Sequence, residues 1–296
     1  MELCLGTVQF GLDYGIWGAK KQPYQAVAKT LDYAILHGIY FFDTAAAYGS
    51  SERVLGQYVR RSGYAGRMKF ISKLLPDAFD GKPKDGLAAV ACSMASKSRD
   101  TLGVSRLYGY VFHNASYIYA KEAVEALYAV KKAGICEHIG VSVYTPKEAI
   151  KALEYDEIEI IQIPYNVFDR RLDQAGFFLN AQKKGIRVFA RSTLLQGLLL
   201  MKPEELPDNM RFAKNDLRRF QKICEEHGIS ALEAAVGYVK RHGGIDYMVF
   251  GVDYPQQIKE YISVYAREIP EDIYQELSER FRNVEERLVN PAMWNE

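Results

Sequence analysis

FFDTAAAYG, residues 41–49, links the fold of this 296-residue chain to its chemistry. With Ile39 and Tyr40 before it, the stretch begins as an apolar run of strand length and ends on an acid, Asp43. Tyr48 follows in a turn closed by Gly49. A buried strand that delivers a carboxylate and then a phenol at its C-terminal mouth has the outline of a reaction centre. A phenol with an ordinary pKa of about 10 needs nearby positive charge to become a better acid. Two later strand-like runs end in suitable residues: Lys73 in KFISKL (69–74) and His113 in LYGYVFH (107–113).

Further strand-like runs lie at 3–10, 138–144, 158–166, 187–194 and 247–252, which with 40–45, 69–74 and 107–113 makes eight. Each is rich in β-branched or aromatic residues and bounded by Gly, Pro, Asn or Asp. Helical periodicity fills the gaps. Residues 23–37 set Ala26, Val27, Leu31, Ala34 and Ile35 on one stripe, and 51–60 group Val54, Leu55 and Tyr58. Segments 118–133 and 146–153 behave alike, the second opened by Thr145-Pro146, a capping residue followed by proline in the first turn. Eight strand–helix units predict an α/β protein, a (β/α)8 TIM barrel in which catalytic groups come from strand C-termini and the loops after them. The barrel is expected as a single domain over 1–296, with 285–296 as a C-terminal tail. A doubly wound open sheet is the alternative, but GTVQFGLDYGIWG (6–18) lacks the glycine spacing of its phosphate turn. In a barrel, Asp43, Lys73 and His113 lie at the mouths of neighbouring strands, where they converge with Tyr48.

Bulk properties narrow the partners. A net charge of +1 argues against a nucleic-acid surface. The densest basic cluster, Lys214, Arg218, Arg219 and Lys222, falls on one predicted helix and reads as a solvated face. Cys4, Cys92, Cys136 and Cys224 are far apart and match no metal spacing, which fits a reducing compartment and no metal site. The start, MELCLGTVQF, lacks the basic residues and long apolar segment of a signal peptide, and no apolar run approaches the roughly 20 residues of a membrane span. A cytoplasmic protein without a membrane or nucleic-acid partner is expected. Helix faces alone do not give the oligomeric state.

The four converging residues resemble the tetrad of the aldo-keto reductases: D-T-A-x-x-Y-G at Asp43–Gly49, then Lys73 and His113. Further pieces agree in order: GVS at 140–142, QIPYN at 162–166, S-x-L-x-x-G at Ser192–Gly197, and G-V-x-x-x-x-Q-x-x-E at Gly251–Glu260. The resemblance covers roughly residues 3–265. It implies a reductase that passes hydride from NADP(H), with NAD(H) as the other candidate, to the carbonyl of a small-molecule substrate. Tyr48 would protonate the oxygen, Lys73 paired with Asp43 would lower the Tyr48 pKa, and His113 would orient the carbonyl. Ser142 and Gln162 would hold the nicotinamide carboxamide, and Ser192, Leu194 and Gly197 would line the pyrophosphate. Gly251, Asp253, Gln257 and Glu260 would form the adenosine end. Trp17, in the loop after strand 1, is a candidate either to line the substrate pocket or to pack. Family tails often fold over the active site, which makes Trp294 a residue to place.

Departures from the family pattern matter as much. Val143 replaces the usual Asn after the strand-5 Ser, and Tyr261 the Asn after the adenosine Glu. Arg191 stands where an aromatic residue usually stacks on the nicotinamide. A guanidinium also lies flat on a ring, but it brings a fixed charge. Asp253 stands where a cation often grips a 2′-phosphate, and an acid there repels one. The segment GTVQFGLDYGI resembles reductases of sugar and surface-polysaccharide pathways, so the resemblance implies a sugar or sugar-derivative carbonyl. The competing function is a cofactor-binding regulatory or redox-sensor protein with little turnover. A weaker alternative, an unrelated barrel hydrolase or lyase, finds no metal-ligand cluster and no paired carboxylates on adjacent strand ends to support it.

Overall fold

The computed structural model describes residues 1–16 and 18–294. All eight strand-like runs contain strands, and each strand pairs in parallel with the next: β1 (Glu2–Gly6), β2 (Phe41–Asp43), β3 (Lys69–Leu74), β4 (Leu107–Phe112), β5 (Cys136–Ser142), β6 (Ile160–Pro164), β7 (Arg187–Arg191) and β8 (Tyr247–Gly251). Pairing of β8 with β1, from Glu2 opposite Tyr247 to Gly6 opposite Gly251, closes the barrel.

The strands are shorter than the apolar runs at the mouth. The run at 3–10 leaves the sheet after Gly6 and coils into a short turn at Val8–Phe10. The run at 187–194 stops at Arg191 because Ser192 takes a left-handed backbone (φ 62°) that no ladder accommodates. Apolar composition reports burial, and residues just past a strand end are buried too.

Helices cover the outside: α1 (Tyr24–Leu36), α2 (Ser51–Ser62), α3 (Leu87–Leu102), α4 (Lys121–Lys132), α5 (Pro146–Ala152), α6 (Arg171–Gln174), α7 (Phe177–Lys183), α8 (Lys214–Glu226), α9 (Ala231–Lys240), α10 (Pro255–Tyr265), α11 (Glu271–Arg280) and α12 (Glu286–Val289). The predicted start of α5 holds: Thr145 accepts from Glu148 N, and the Glu148 side chain accepts from Thr145 N. The basic cluster on α8 is matched by acids, with Arg218 on Glu204, Arg219 on Asp216 and Lys222 on Glu226.

The barrel interior is plugged by Cys4, Phe41, Ile71, Tyr108, Val111, Ile160, Phe189, Tyr247 and Val249. Phe189 and Tyr247 stack at 4.2 Å. This layer leaves chemistry to the C-terminal mouth. The tail folds back on itself: buried Trp294 donates through Nε1 to Arg287 O (3.0 Å), and Asn209 donates to Trp294 O (3.2 Å). Among the described residues no helix is long and apolar enough to cross a membrane.

Candidate active site

The loop after β2 is fixed by hydroxyls before it presents any chemistry. Thr44 N donates to Ile71 O (2.9 Å), Thr44 Oγ1 donates to Ser51 Oγ (3.0 Å), and Ser51 Oγ donates to Thr7 O (2.9 Å). Gly11, in the loop after β1, lies so close that a Cβ there would fall 1.7 Å from Tyr48 O. Small residues at both points let the two loops mesh, and Tyr48 projects into the cavity.

Beneath it, Lys73 Nζ donates to Asp43 Oδ1 (2.8 Å), Asp43 Oδ2 (2.7 Å) and Thr44 O (2.9 Å). Both charged groups are buried, Lys73 to 2% and Asp43 to 6% exposure, so the pair survives by mutual compensation. Burial alone would lower the Lys73 pKa, but the Asp43 carboxylate outweighs it and the ammonium titrates above its ordinary range. The Tyr48 ring centre lies 4.9 Å from Lys73 Nζ and 5.7 Å, edge-on, from the His113 ring.

Lys73 lowers the Tyr48 pKa, as expected, but it does not set the net direction. Burial pushes the phenol up by more than Lys73 pulls it down, so Tyr48 sits above its ordinary value. The phenol therefore keeps its proton at neutral pH. His113, directly after β4, is depressed to about 4, first by burial and then by repulsion from Lys73, so its ring is neutral. Its Nδ1 is buried without a partner.

A cavity of about 290 Å³ opens over these groups. Asp43, Tyr48, His113, Ser142, Arg191, Ser192, Leu194, Gly197, Gly251, Asp253, Gln257 and Glu260 line it. Lys73 and Gln162 are buried against Asp43 instead, with Gln162 Nε2 donating to Asp43 Oδ1 at 2.5 Å. Gln162 Oε1 has no partner among the described residues. Trp17 lies outside the described residues, and none of residues 285–294 lines the cavity.

Arg191 is pinned at the end of β7. Its Nε donates to Ser142 Oγ (3.2 Å), Nη1 to Ser192 Oγ (3.3 Å) and Nη2 to Val143 O (2.8 Å). The guanidinium carbon lies 4.2 Å from the centre of the Tyr144 ring. The loop that follows holds three non-glycine residues in the left-handed region, Ser192 (φ 62°), Leu195 (φ 50°) and Gln196 (φ 55°). Such conformations cost about 1–3 kcal/mol each and persist where surroundings over-determine them. Here Asn166 Nδ2 donates to Ser192 O (3.1 Å), while Asn166 Oδ1 accepts from Phe168 N and Asp169 N.

After β8, Asp253 N donates to Gln257 Oε1 (2.6 Å). Gly251 leaves room for the Gln9 side chain, whose Nε2 would lie 2.5 Å from a Cβ there. Burial raises the Asp253 pKa, while hydrogen bonds from the Gln257 and Gln9 side chains oppose the rise. Tyr261 stacks on Phe250 at 4.1 Å and donates to Met248 Sδ (2.9 Å).

Gln9, Tyr14 and Tyr144 also line the cavity, and sequence reasoning missed them. Tyr144 closes the run at 138–144, so the strand-end rule that found His113 applies to it equally. Tyr14 is pushed up to about 12 by burial and then by the neighbouring Tyr48, a proximity that sequence spacing does not show. No sequence signal marks Gln9.

A model of the aldo/keto reductase family matches residues 2–280. Curated relatives include the chloroplastic pyridoxal reductase of Arabidopsis thaliana, 26% identical over 62% of this chain and 54% of that protein. The chain thus spans about half of that relative's length. The L-glyceraldehyde 3-phosphate reductase of Escherichia coli is 23% identical over 87% of this chain and 83% of that protein. Among solved structures, a Pseudomonas aeruginosa chain described as an aldo-keto reductase shares the fold, with a TM-score of 0.66 and 22% identity over 89% of this chain and 88% of that one.

Proposed function

The chain belongs to the aldo/keto reductase family, and from that premise we propose that it is an NAD(P)H-dependent oxidoreductase reducing the aldehyde or ketone carbonyl of a small molecule, with Tyr48 as general acid. The observation that carries the reading is the buried Asp43–Lys73 pair set beneath Tyr48 and beside a neutral His113. The nicotinamide cofactor supplies the hydride. His113, neutral, orients the carbonyl by a hydrogen bond to its oxygen. Tyr48, protonated at rest, gives its proton to that oxygen as negative charge develops there, and Lys73 stabilises the phenolate left behind. Such acid assistance is worth on the order of 10²–10⁴ in rate.

The residues fit the cofactor. Ser142 lies at the cavity wall, where it would meet the carboxamide, and Gln162 Oε1, on the residue paired with Ser142 across β5 and β6, is a buried acceptor without a partner among the described residues but lies behind that wall. Ser192, Leu194 and Gly197 line the same cavity and would follow the pyrophosphate. At the adenosine end Asp253, Gln257 and Glu260 present two carboxylates, which favours NAD(H), whereas the family resemblance favours NADP(H). The substrate class drawn from the resemblance is a sugar or sugar derivative.

Titration of the protein with NADPH and NADH, followed by nicotinamide fluorescence, tests the reading together with Tyr48→Phe. We expect tight binding of at least one cofactor by both proteins and a turnover about 10²–10⁴ lower in Tyr48→Phe. Absence of binding of both would overturn the proposal. One fast turnover without further cycles would favour a redox sensor instead.

A further inference from the structure

We infer that Arg191 makes this site discriminate between the redox states of its cofactor, holding the reduced nicotinamide and weakening the hold on the oxidised one. The inference rests on the nicotinamide-dependent reading above and adds a regulation of that site.

The two cations near the chemistry differ in compensation. Lys73 is cancelled by Asp43 at 2.7 Å. Among the described residues Arg191 has only formally neutral partners: two hydroxyls, a backbone carbonyl and the Tyr144 ring. Among the described cavity-lining residues it is the sole Lys or Arg. The remaining lining carboxylates, Asp253 and Glu260, belong to α10 and the loop before it, and the side chains that bond Asp253 are Gln257 and Gln9.

The position of Arg191 follows from the reaction. A hydride donor must lie roughly 3–3.5 Å from the carbonyl carbon, and that carbonyl is held by Tyr48 and His113. The positive charge of Arg191 is felt at Tyr14, Tyr48 and His113. It is also bonded to Ser142, a proposed carboxamide contact, at 3.2 Å. A nicotinamide ring placed by these groups therefore sits beside the guanidinium. Three hydrogen bonds and the Tyr144 face keep Arg191 from swinging away.

The reduced ring is neutral and the oxidised ring carries one positive charge. Two like unit charges a few ångströms apart, in a half-buried site, weaken binding on the order of tenfold to a hundredfold. Contacts to the pyrophosphate and adenosine are common to both redox forms and cancel in the ratio of their dissociation constants. Each tenfold in that ratio raises the potential of the bound couple by about 30 mV. Turnover toward the alcohol is thus drawn by release of oxidised cofactor rather than by the transfer step.

The test is the set of dissociation constants for NADPH, NADP+, NADH and NAD+, measured by calorimetry on the wild-type chain and on Arg191→Lys, Arg191→Met and Arg191→Tyr. The oxidised-to-reduced ratio should exceed about ten in the wild type, persist in Arg191→Lys, and fall about tenfold or more in the two uncharged variants. A wild-type ratio of one or below overturns the inference without any variant. An unchanged ratio in Arg191→Met or Arg191→Tyr, whichever folds, does the same and leaves the reductase reading standing. Wild-type protein that binds none of the four overturns the reductase reading itself.

Discussion

On the β2–β4 side of the mouth, Lys73 gives three hydrogen bonds to Asp43 and Thr44; on the β5–β7 side, Arg191 gives three to Ser142, Ser192 and Val143. The geometry is similar and the electrostatics are opposite. Lys73 is fully buried and its charge is cancelled, so it belongs to the framework as much as to the chemistry. Arg191 is half-buried among neutral groups, so its charge remains available to whatever enters the cavity.

The most severe way to break this contrast is Lys73→Met. It strands the Asp43 carboxylate in the interior, and we expect a loss of about 3–5 kcal/mol in urea unfolding. Arg191→Met strands no charge, only the acceptors it bonded, and should cost about 1–3 kcal/mol by the same measurement. Equal losses in the two variants would show that the charges are not held differently.

The next effect is a pH dependence that His113 contributes on the β2–β4 side. His113 titrates near 4 in the folded chain and near 6.5 when unfolded. Between those values the unfolded chain binds more protons, so stability is full above about pH 6.5 and is lost as pH falls toward 4. The difference amounts to about 3 kcal/mol. Urea midpoints taken from pH 7 to pH 4 should show that slope in the wild type and in Arg191→Met, and a shallower one in His113→Asn, where His138, also held below its ordinary value by burial, still titrates.

The smallest effect lies behind the β5 end. Thr145→Ala removes the cap of α5, next to the Tyr144 ring that covers Arg191. A loss of about 1 kcal/mol in thermal or urea unfolding is expected, with the cofactor affinity ratio unchanged. A shifted ratio would mean that α5 positions Tyr144 and, through it, Arg191.

Legibility follows the same division. Asp43, Lys73 and His113 could be read because strand alternation and a strand-end rule place them at the mouth whatever the loops do. Leu194, Gly197, Gln257 and Glu260 were placed through family resemblance, since loop backbones carry no periodicity. The left-handed Ser192, Leu195 and Gln196 are unreadable locally: none is a glycine, and their conformations are held by contacts such as Asn166 with Ser192 O, 26 residues away in sequence. Gln162 shows the limit in the other direction. Its strand was legible, but its burial against Asp43 was not, because that 2.5 Å bond spans 119 residues.

The sequence by itself determined the barrel, the order of its strands and the mouth at which Asp43, Lys73, His113 and Tyr48 gather, because period and strand ends are properties of neighbouring residues. Only the tertiary structure decided the charge states. Whether Tyr48 rises or falls in pKa depends on how burial competes with Lys73, and here burial wins. Whether a cation is cancelled depends on which distant side chain faces it: Asp43 faces Lys73, and among the described residues no carboxylate bonds Arg191. Electrostatic energies are set by through-space distances and solvent exclusion, which a linear pattern does not contain.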